Sequence, residues 1–252
     1  MFEVTLDLAL FLIAAAFIAG IVDSIAGGGG LITVPALLLA GLPPVQALAT
    51  NKVQGAFGAG TAALAYAAKG HVDFRHQIWP AVLSFFAAVL GSSLVPYIPT
   101  NVLRLGLPVI LIGIALFFGL KPGLTDADRH VRLAPAAFTA SVVPLIAFYD
   151  GLVGPGTGSF FMIGFVLLAG HGVLRATAHT KLLNFASNIG SILAFALAGS
   201  PLWGLGIAMG LAQSAGAQAG SRLAMRIGAR LIKPLLVVTS TAMAARLIWQ
   251  ML

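Results

Sequence analysis

Apolar residues occur along this chain in long runs, at roughly 5–26, 31–41, 44–69, 76–97 and 101–120, and again at 135–153, 159–170, 173–198, 202–224 and 229–251. A helix of ~20 apolar residues spans the hydrocarbon of a bilayer, so the pattern predicts an all-α polytopic membrane protein. Two runs are too short for a full pass, 31–41 and 159–170, and predict re-entrant or broken helices. A polar linker, KPGLTDADRHVR from Lys121 to Arg132, separates the two groups of runs. The expected organisation is therefore a first membrane repeat at 1–120, a linker at 121–134 and a second membrane repeat at 135–252.

The two groups align on each other without gaps at a constant offset of 129. Gly27 and Gly29 fall on Gly156 and Gly158, and LLAG at 38–41 falls on LLAG at 167–170. Ala47, Ala49 and Lys52 fall on Ala176, Ala178 and Lys181, and Gly91, Ser92 and Leu94 on Gly220, Ser221 and Leu223. Matches among Ala, Leu and Gly are common in apolar sequence. A lysine pair inside apolar runs, in one register with paired glycines, marks a duplication with four spanning helices and one short helix per copy.

Loop charge sets the expected orientation. Lys69 and Arg75, then Lys121, Arg129 and Arg132, then Arg222, Arg226, Arg230 and Lys233 lie in three basic loops. Cytoplasmic loops carry the excess of Lys and Arg. With those loops inside, both termini lie outside, and five membrane-directed segments per copy make the second repeat inverted relative to the first. Arg175 fits this scheme and Arg104 runs against it. Inverted repeats with short, glycine-interrupted segments at matching positions point to the binding site of a secondary transporter.

Composition narrows the class. Of 252 residues, 59% are hydrophobic and 8% charged, against roughly 25% charged in soluble domains. The absence of cysteine excludes disulfides, Cys-ligated metal and thiol chemistry. The net charge of +7 sits in short loops without interleaved aromatics, so it reads as topology and not as nucleic-acid binding. Trp79, Trp203 and Trp249 fall near segment ends, as interfacial aromatics do. The first run lacks a basic leader (Met1, Phe2, Glu3) and belongs to the repeat, so it is expected to be a membrane helix rather than a signal peptide.

Two pairs of motifs carry the candidate chemistry. Gly27-Gly28-Gly29-Gly30 precedes the first short run, and Gly154-Pro155-Gly156-Thr157-Gly158-Ser159 opens the second. The first N–H groups of a helix lack intrahelical partners, and a helix N-terminus attracts anions. Gly29, Gly30, Gly158 and Ser159 are therefore candidate anion contacts, unless the glycines serve close helix packing alone. The second pair is Thr50, Asn51, Lys52 and Gln54 with His179, Thr180, Lys181, Asn184 and Asn188. Ionisable groups inside a membrane helix are costly and functional by default, and Lys52 lies about 12 Å into its helix at 1.5 Å per residue. The lysines either attract an oxyanion or pair with Asp23 and Asp150, which precede the glycine clusters. Asp23, Asp150 and His179 are candidate coupling groups. His71, His76, His130 and His171 belong to loops and read as solvated.

The segments GGGGLITVPALLLAGLPPVQALATNKVQGAFG at 27–58, YDGLVGPGTGSFFMIGFVLLAG at 149–170 and ATAHTKLLNFASNIG at 176–190 resemble the TauE/SafE sulfite-exporter family, in particular its YfcA-like branch. The resemblance implies a bacterial inner-membrane carrier for sulfite, thiosulfate or sulfonates. It implies substrate contacts at Thr50, Asn51, Lys52 and Gln54 and at His179, Thr180, Lys181 and Asn184.

The expected function is export of small sulfur-containing anions by alternating access. The alternatives are an anion channel, or a proton- or cation-coupled uptake permease using Asp23 and Asp150. The expected partners are a small anion and the lipid bilayer, with no cofactor, metal or catalytic residue, since neither HExxH nor GxSxG occurs. The small-residue ridge Gly204, Gly206, Gly210 and Ala215 to Gly220 suits internal packing or a homodimer equally.

Overall fold

The computed structural model describes residues 5–103, 106, 109 and 130–227, and every regular element among them is helical. In chain order these are α1 (Leu6–Ala26), α2 (Gly29–Leu39), α3 (Pro44–Ala67), α4 (Phe74–Leu94), α5 (Pro135–Leu152), α6 (Thr157–Leu167), α7 (Val173–Leu197) and α8 (Trp203–Ile227). The predicted run 101–120 from Arg104 onward (apart from Gly106 and Val109), the linker up to Arg129 and the run 229–251 lie outside the described residues. So do Arg230, Lys233 and Trp249.

Local chemistry sets the boundaries. Thr5 caps α1, its hydroxyl accepting from Leu8 N–H at 3.4 Å. Gly27 ends the helix at φ 82°, a left-handed conformation that glycine adopts without steric cost. Pro44 opens α3 and Asp73 caps α4, positions that proline and aspartate favour. Within α5 a π-helical turn occupies Phe138–Val142. Pro144 follows it and has no N–H to return to the preceding turn, which loosens the i→i−4 ladder there.

Among the described residues, four helices are long and apolar enough to cross a membrane: α1, α4 with its extension to Tyr97, α5 and α7. α3 and α8 have 24 and 25 residues, enough length at 1.5 Å per residue. Their faces carry Thr50, Asn51, Lys52 and Gln54, and Gln213, Ser214 and Gln218, so they are less apolar. The two predicted short helices are present as α2 and α6, of 11 residues each. At about 16 Å they cross half of a ~30 Å hydrocarbon layer.

The two halves of the chain interleave. α8 packs along α1 and α3, while α4 packs along α5 and α7. Each half thus gives its fourth helix to the other half. α2 lies against α1 and α3, α6 lies against α7 and α5, and α3 crosses α7 at the centre. Glycine makes the exchanged contacts close. A Cβ at Gly20 would overlap the Gln213 carbonyl, one at Gly216 the Phe17 carbonyl, one at Gly91 the Phe148 carbonyl and one at Gly151 the Ala88 carbonyl. Small residues let membrane helices approach to backbone contact in this way. The ridge on α8 is used internally, with Gly206 against Val53, Gly210 against Phe57 and Gly220 against Ile21 and Ser24.

Candidate functional site

The centre of the molecule is polar. Asp23, Lys52, Asp150 and Lys181 are each at most 5% exposed. An isolated buried charge is expensive, and these four are paired. Lys52 Nζ lies 2.7 Å from Asp150 Oδ1 and donates to the Asp150 carbonyl at 2.5 Å. Lys181 Nζ lies 3.3 Å from Asp23 Oδ2 and donates to the Asp23 carbonyl. Each lysine therefore pairs with the aspartate of the other half. Both aspartates lie in the last turns of α1 and α5, where backbone carbonyls also favour a cation. The remaining carboxylate oxygens are occupied too. Asp23 Oδ1 accepts from Gly29 N–H at 3.2 Å, and Asp150 Oδ2 accepts from the Ser187 hydroxyl.

The N-termini of α2 and α6 meet head to head. Ser159 N–H donates to Gly27 O at 3.1 Å, and the Ser159 hydroxyl donates to Ala26 O at 2.7 Å. A Cβ on Gly158 would sit 2.7 Å from Gly27 Cα, so the approach requires glycine. The N–H groups of Gly30 and Gly158, in the first turns of α2 and α6, have no hydrogen-bond partner among the described residues.

Both of those glycines line a cleft shared with Asp23, Asn51, Lys52, Asp150, Asn184, Asn188 and Gln213. Its free room is about 30 Å³, enough for a water or two and too little for a four-heavy-atom oxyanion. The asparagines are oriented by neighbours. Asn51 Oδ1 takes the Thr33 hydroxyl at 2.7 Å and Gln54 Nε2 at 3.1 Å, which leaves its Nδ2 without a partner among the described residues. Asn188 Nδ2 donates to the Asn184 carbonyl at 2.7 Å, which leaves Asn188 Oδ1 free to accept. Asn184 Nδ2 likewise donates to no described group. The cleft therefore presents two backbone N–H groups and two carboxamide NH₂ groups, one of each from either half.

Of the residues expected at the site, Gly30, Asn51, Lys52, Gly158, Asn184, Asn188, Asp23 and Asp150 line this cleft. Lys181 stands behind it on Asp23, Gly29 is tied to Asp23, Gln54 braces Asn51 and Ser159 closes the glycine contact. Thr50 and His179 lie elsewhere. Thr50 Oγ1 accepts from Leu202 N–H at 3.1 Å, ahead of α8. His179 accepts from Asp73 N–H at 3.5 Å and packs edge-on to Phe165. It lines a separate cavity of about 480 Å³ with Asp73, His76, Gln77 and Arg175. His171 also lines that cavity, stacked on Phe165, and so is not simply solvated. Thr180 Oγ1 is buried without a partner among the described residues. Thr33 and Gln213 were not legible as site residues. The first is a lone threonine in an apolar run, and the second lies within a ridge that reads as packing.

A chain whose described elements are all helical, with several apolar helices of membrane-crossing length around a buried polar centre, is a multi-pass membrane protein. The family model described as Sulfite exporter TauE/SafE matches residues 12–247. The chain belongs to this family of membrane transporters. It is 57% identical over 246 residues, 98% of this chain and 94% of the relative, to a Sinorhizobium protein named "Probable membrane transporter protein ORF9". It is 42% identical over 234 residues, 93% of this chain and 87% of the relative, to "Probable membrane transporter protein YfcA" of Escherichia coli K12. A plant protein, "Sulfite exporter TauE/SafE family protein 6" of Arabidopsis thaliana, is 31% identical over 102 residues, 40% of this chain and 24% of the relative. No solved structure matches the chain.

Proposed function

We propose that this protein is a secondary carrier that exports small sulfur oxyanions, sulfite or sulfonates, across a bacterial inner membrane by alternating access. The observation that carries the reading is the set of unpartnered donors in the central cleft: Gly30 and Gly158 N–H with Asn51 and Asn184 NH₂. Unfilled N–H groups at a helix N-terminus bind anions, and here two such ends converge. The anion sits between them beside Lys52 and in front of Lys181, whose charges Asp150 and Asp23 balance. The sulfur in the substrate rests on the family description.

The exchange of fourth helices, and the Asp–Lys pairs that cross between halves, suit two repeats related by a two-fold axis in the membrane plane. With the basic loops inside, both termini are periplasmic. The rocking units are then α1–α3 with α8 and α5–α7 with α4, since backbone-to-backbone glycine contacts bind each fourth helix to its host. The cleft lies between these units, and its small volume requires them to part for the anion to enter. An anion leaving a negative interior gains about 2.3 kcal/mol per charge per 100 mV, so the potential alone drives export.

Proteoliposomes loaded with radiolabelled sulfite test this. Efflux that saturates with concentration and accelerates under an inside-negative potential is expected. No protein-dependent flux of sulfite, thiosulfate or any sulfonate overturns the reading, and flux linear in concentration replaces the carrier by a channel.

A further inference from the structure

We infer that the central site is built for a single negative charge, so that it takes monoanions such as bisulfite or alkylsulfonates and discriminates against dianions such as sulfate. This rests on the anion reading of the cleft and narrows its substrate class. Lys52 and Lys181 carry two positive charges, and their partners Asp150 and Asp23 carry two negative ones at 2.7 and 3.3 Å. The two pairs cancel. What is left is the field of the helix ends: the N-termini of α2 and α6 each carry roughly half a positive charge, and the C-terminal carbonyls of α1 and α5, which meet the two lysines, offset part of it. The surplus balances at most about one negative charge.

The lining agrees with that sum. The ligand donors are uncharged: the N–H groups of Gly30 and Gly158 and the amide groups of Asn51 and Asn184, which are 7% and 8% exposed. Lys52 faces the cleft, but its ammonium is committed to the Asp150 carboxylate and carbonyl. The same wall also presents acceptors, the carboxylates of Asp23 and Asp150 and the free Oδ1 of Asn188. A second negative charge on the ligand would face these oxygens with no cation left to meet it. In a buried site, where Coulomb interactions are poorly screened, that repulsion is decisive.

Methanesulfonate and sulfate test the inference, because both are tetrahedral and similar in size but differ by one permanent charge. Each is titrated into the purified detergent-solubilised protein by calorimetry at pH 8 and equal ionic strength. Methanesulfonate binding at least ten-fold tighter than sulfate is expected. Sulfate binding as tightly as methanesulfonate overturns the inference but leaves the anion site standing. Binding of neither anion, nor of sulfite, overturns the anion reading itself. The Asp150→Asn variant removes one negative charge while keeping an acceptor for Lys52, and should narrow or invert the preference. An unchanged preference there overturns the role given to the Asp–Lys balance. Asp23→Asn gives the same reading on the second pair if the first variant does not fold.

Discussion

Lys52 and Asp150 stand 98 residues apart in the chain, and their buried side chains meet at 2.7 Å. Lys181 repeats the arrangement with Asp23. The two pairs tie the halves of the chain to each other at the point where α2 and α6 converge.

Removing one member of a buried pair leaves the other unpaired in a low-dielectric interior, which costs about 3–5 kcal/mol. Lys52→Ala should therefore lower the thermal unfolding midpoint strongly. Lys52→Ala with Asp150→Ala should recover much of that loss, because no lone charge remains. Midpoints of the two single variants and the double in detergent form the cycle, and additive losses would show that the pair is not coupled.

The glycine contact between the short helices leaves no room for a methyl group. Gly158→Ala places a Cβ 2.7 Å from Gly27 Cα, and overpacking of this kind costs about 1–3 kcal/mol. The variant should lose both stability and sulfite efflux. Gly204→Ala in α8 meets nothing within 4 Å and should be neutral, or up to ~1 kcal/mol more stable by helix propensity. Equal behaviour of the two variants contradicts the close approach of α2 and α6.

Thr33 holds Asn51 in the orientation that turns Nδ2 into the cleft. Thr33→Val keeps shape and removes that hydrogen bond, a loss of about 1 kcal/mol, or roughly five-fold in affinity. Calorimetry with sulfite should show this fall while Thr33→Ser restores binding. Wild-type affinity in Thr33→Val would remove Thr33 from the site.

Asp73 caps α4, accepting from Arg75 and His76 N–H and meeting His76 Nδ1 at 2.7 Å. The His76 hydrogen bond holds its carboxyl below the usual range. A carboxylate depressed in the folded state stabilises fully above its unfolded pKa, and that contribution fades as pH falls through the folded value. The unfolding midpoint of wild type minus that of Asp73→Asn, which keeps a capping oxygen, should be constant near neutrality and shrink in acid. A difference independent of pH contradicts the assignment.

The described helices, the two half-length segments and much of the cleft were legible in the sequence, because long apolar runs and the polar residues inside them are conspicuous. Asn51, Lys52, Asn184 and Asn188 stood out for that reason. Spacing decides which of the remainder reach the cleft. Lys181, Asn184 and Asn188 follow i, i+3, i+7 on one face of α7, whereas His179 precedes Lys181 by two residues, about 200° around the helix, and faces away. Thr50 stands in the same relation to Lys52 on α3. The partners of the lysines were left as alternatives because pairing across halves depends on how α3 and α7 cross. Gln213 and the exchange of α4 and α8 depend on tertiary packing alone, which no local pattern along α8 encodes.

Donors from both halves hold one anion, so the sulfite affinity of Asn51→Ala, Asn184→Ala and the double variant depends on both amides. Each single variant loses hydrogen bonds to a charged ligand, worth about 1.5–3 kcal/mol, so calorimetry should show a fall of at least ten-fold for each and a larger one for the double. Wild-type affinity in both single variants and in the double contradicts a site shared between the two halves.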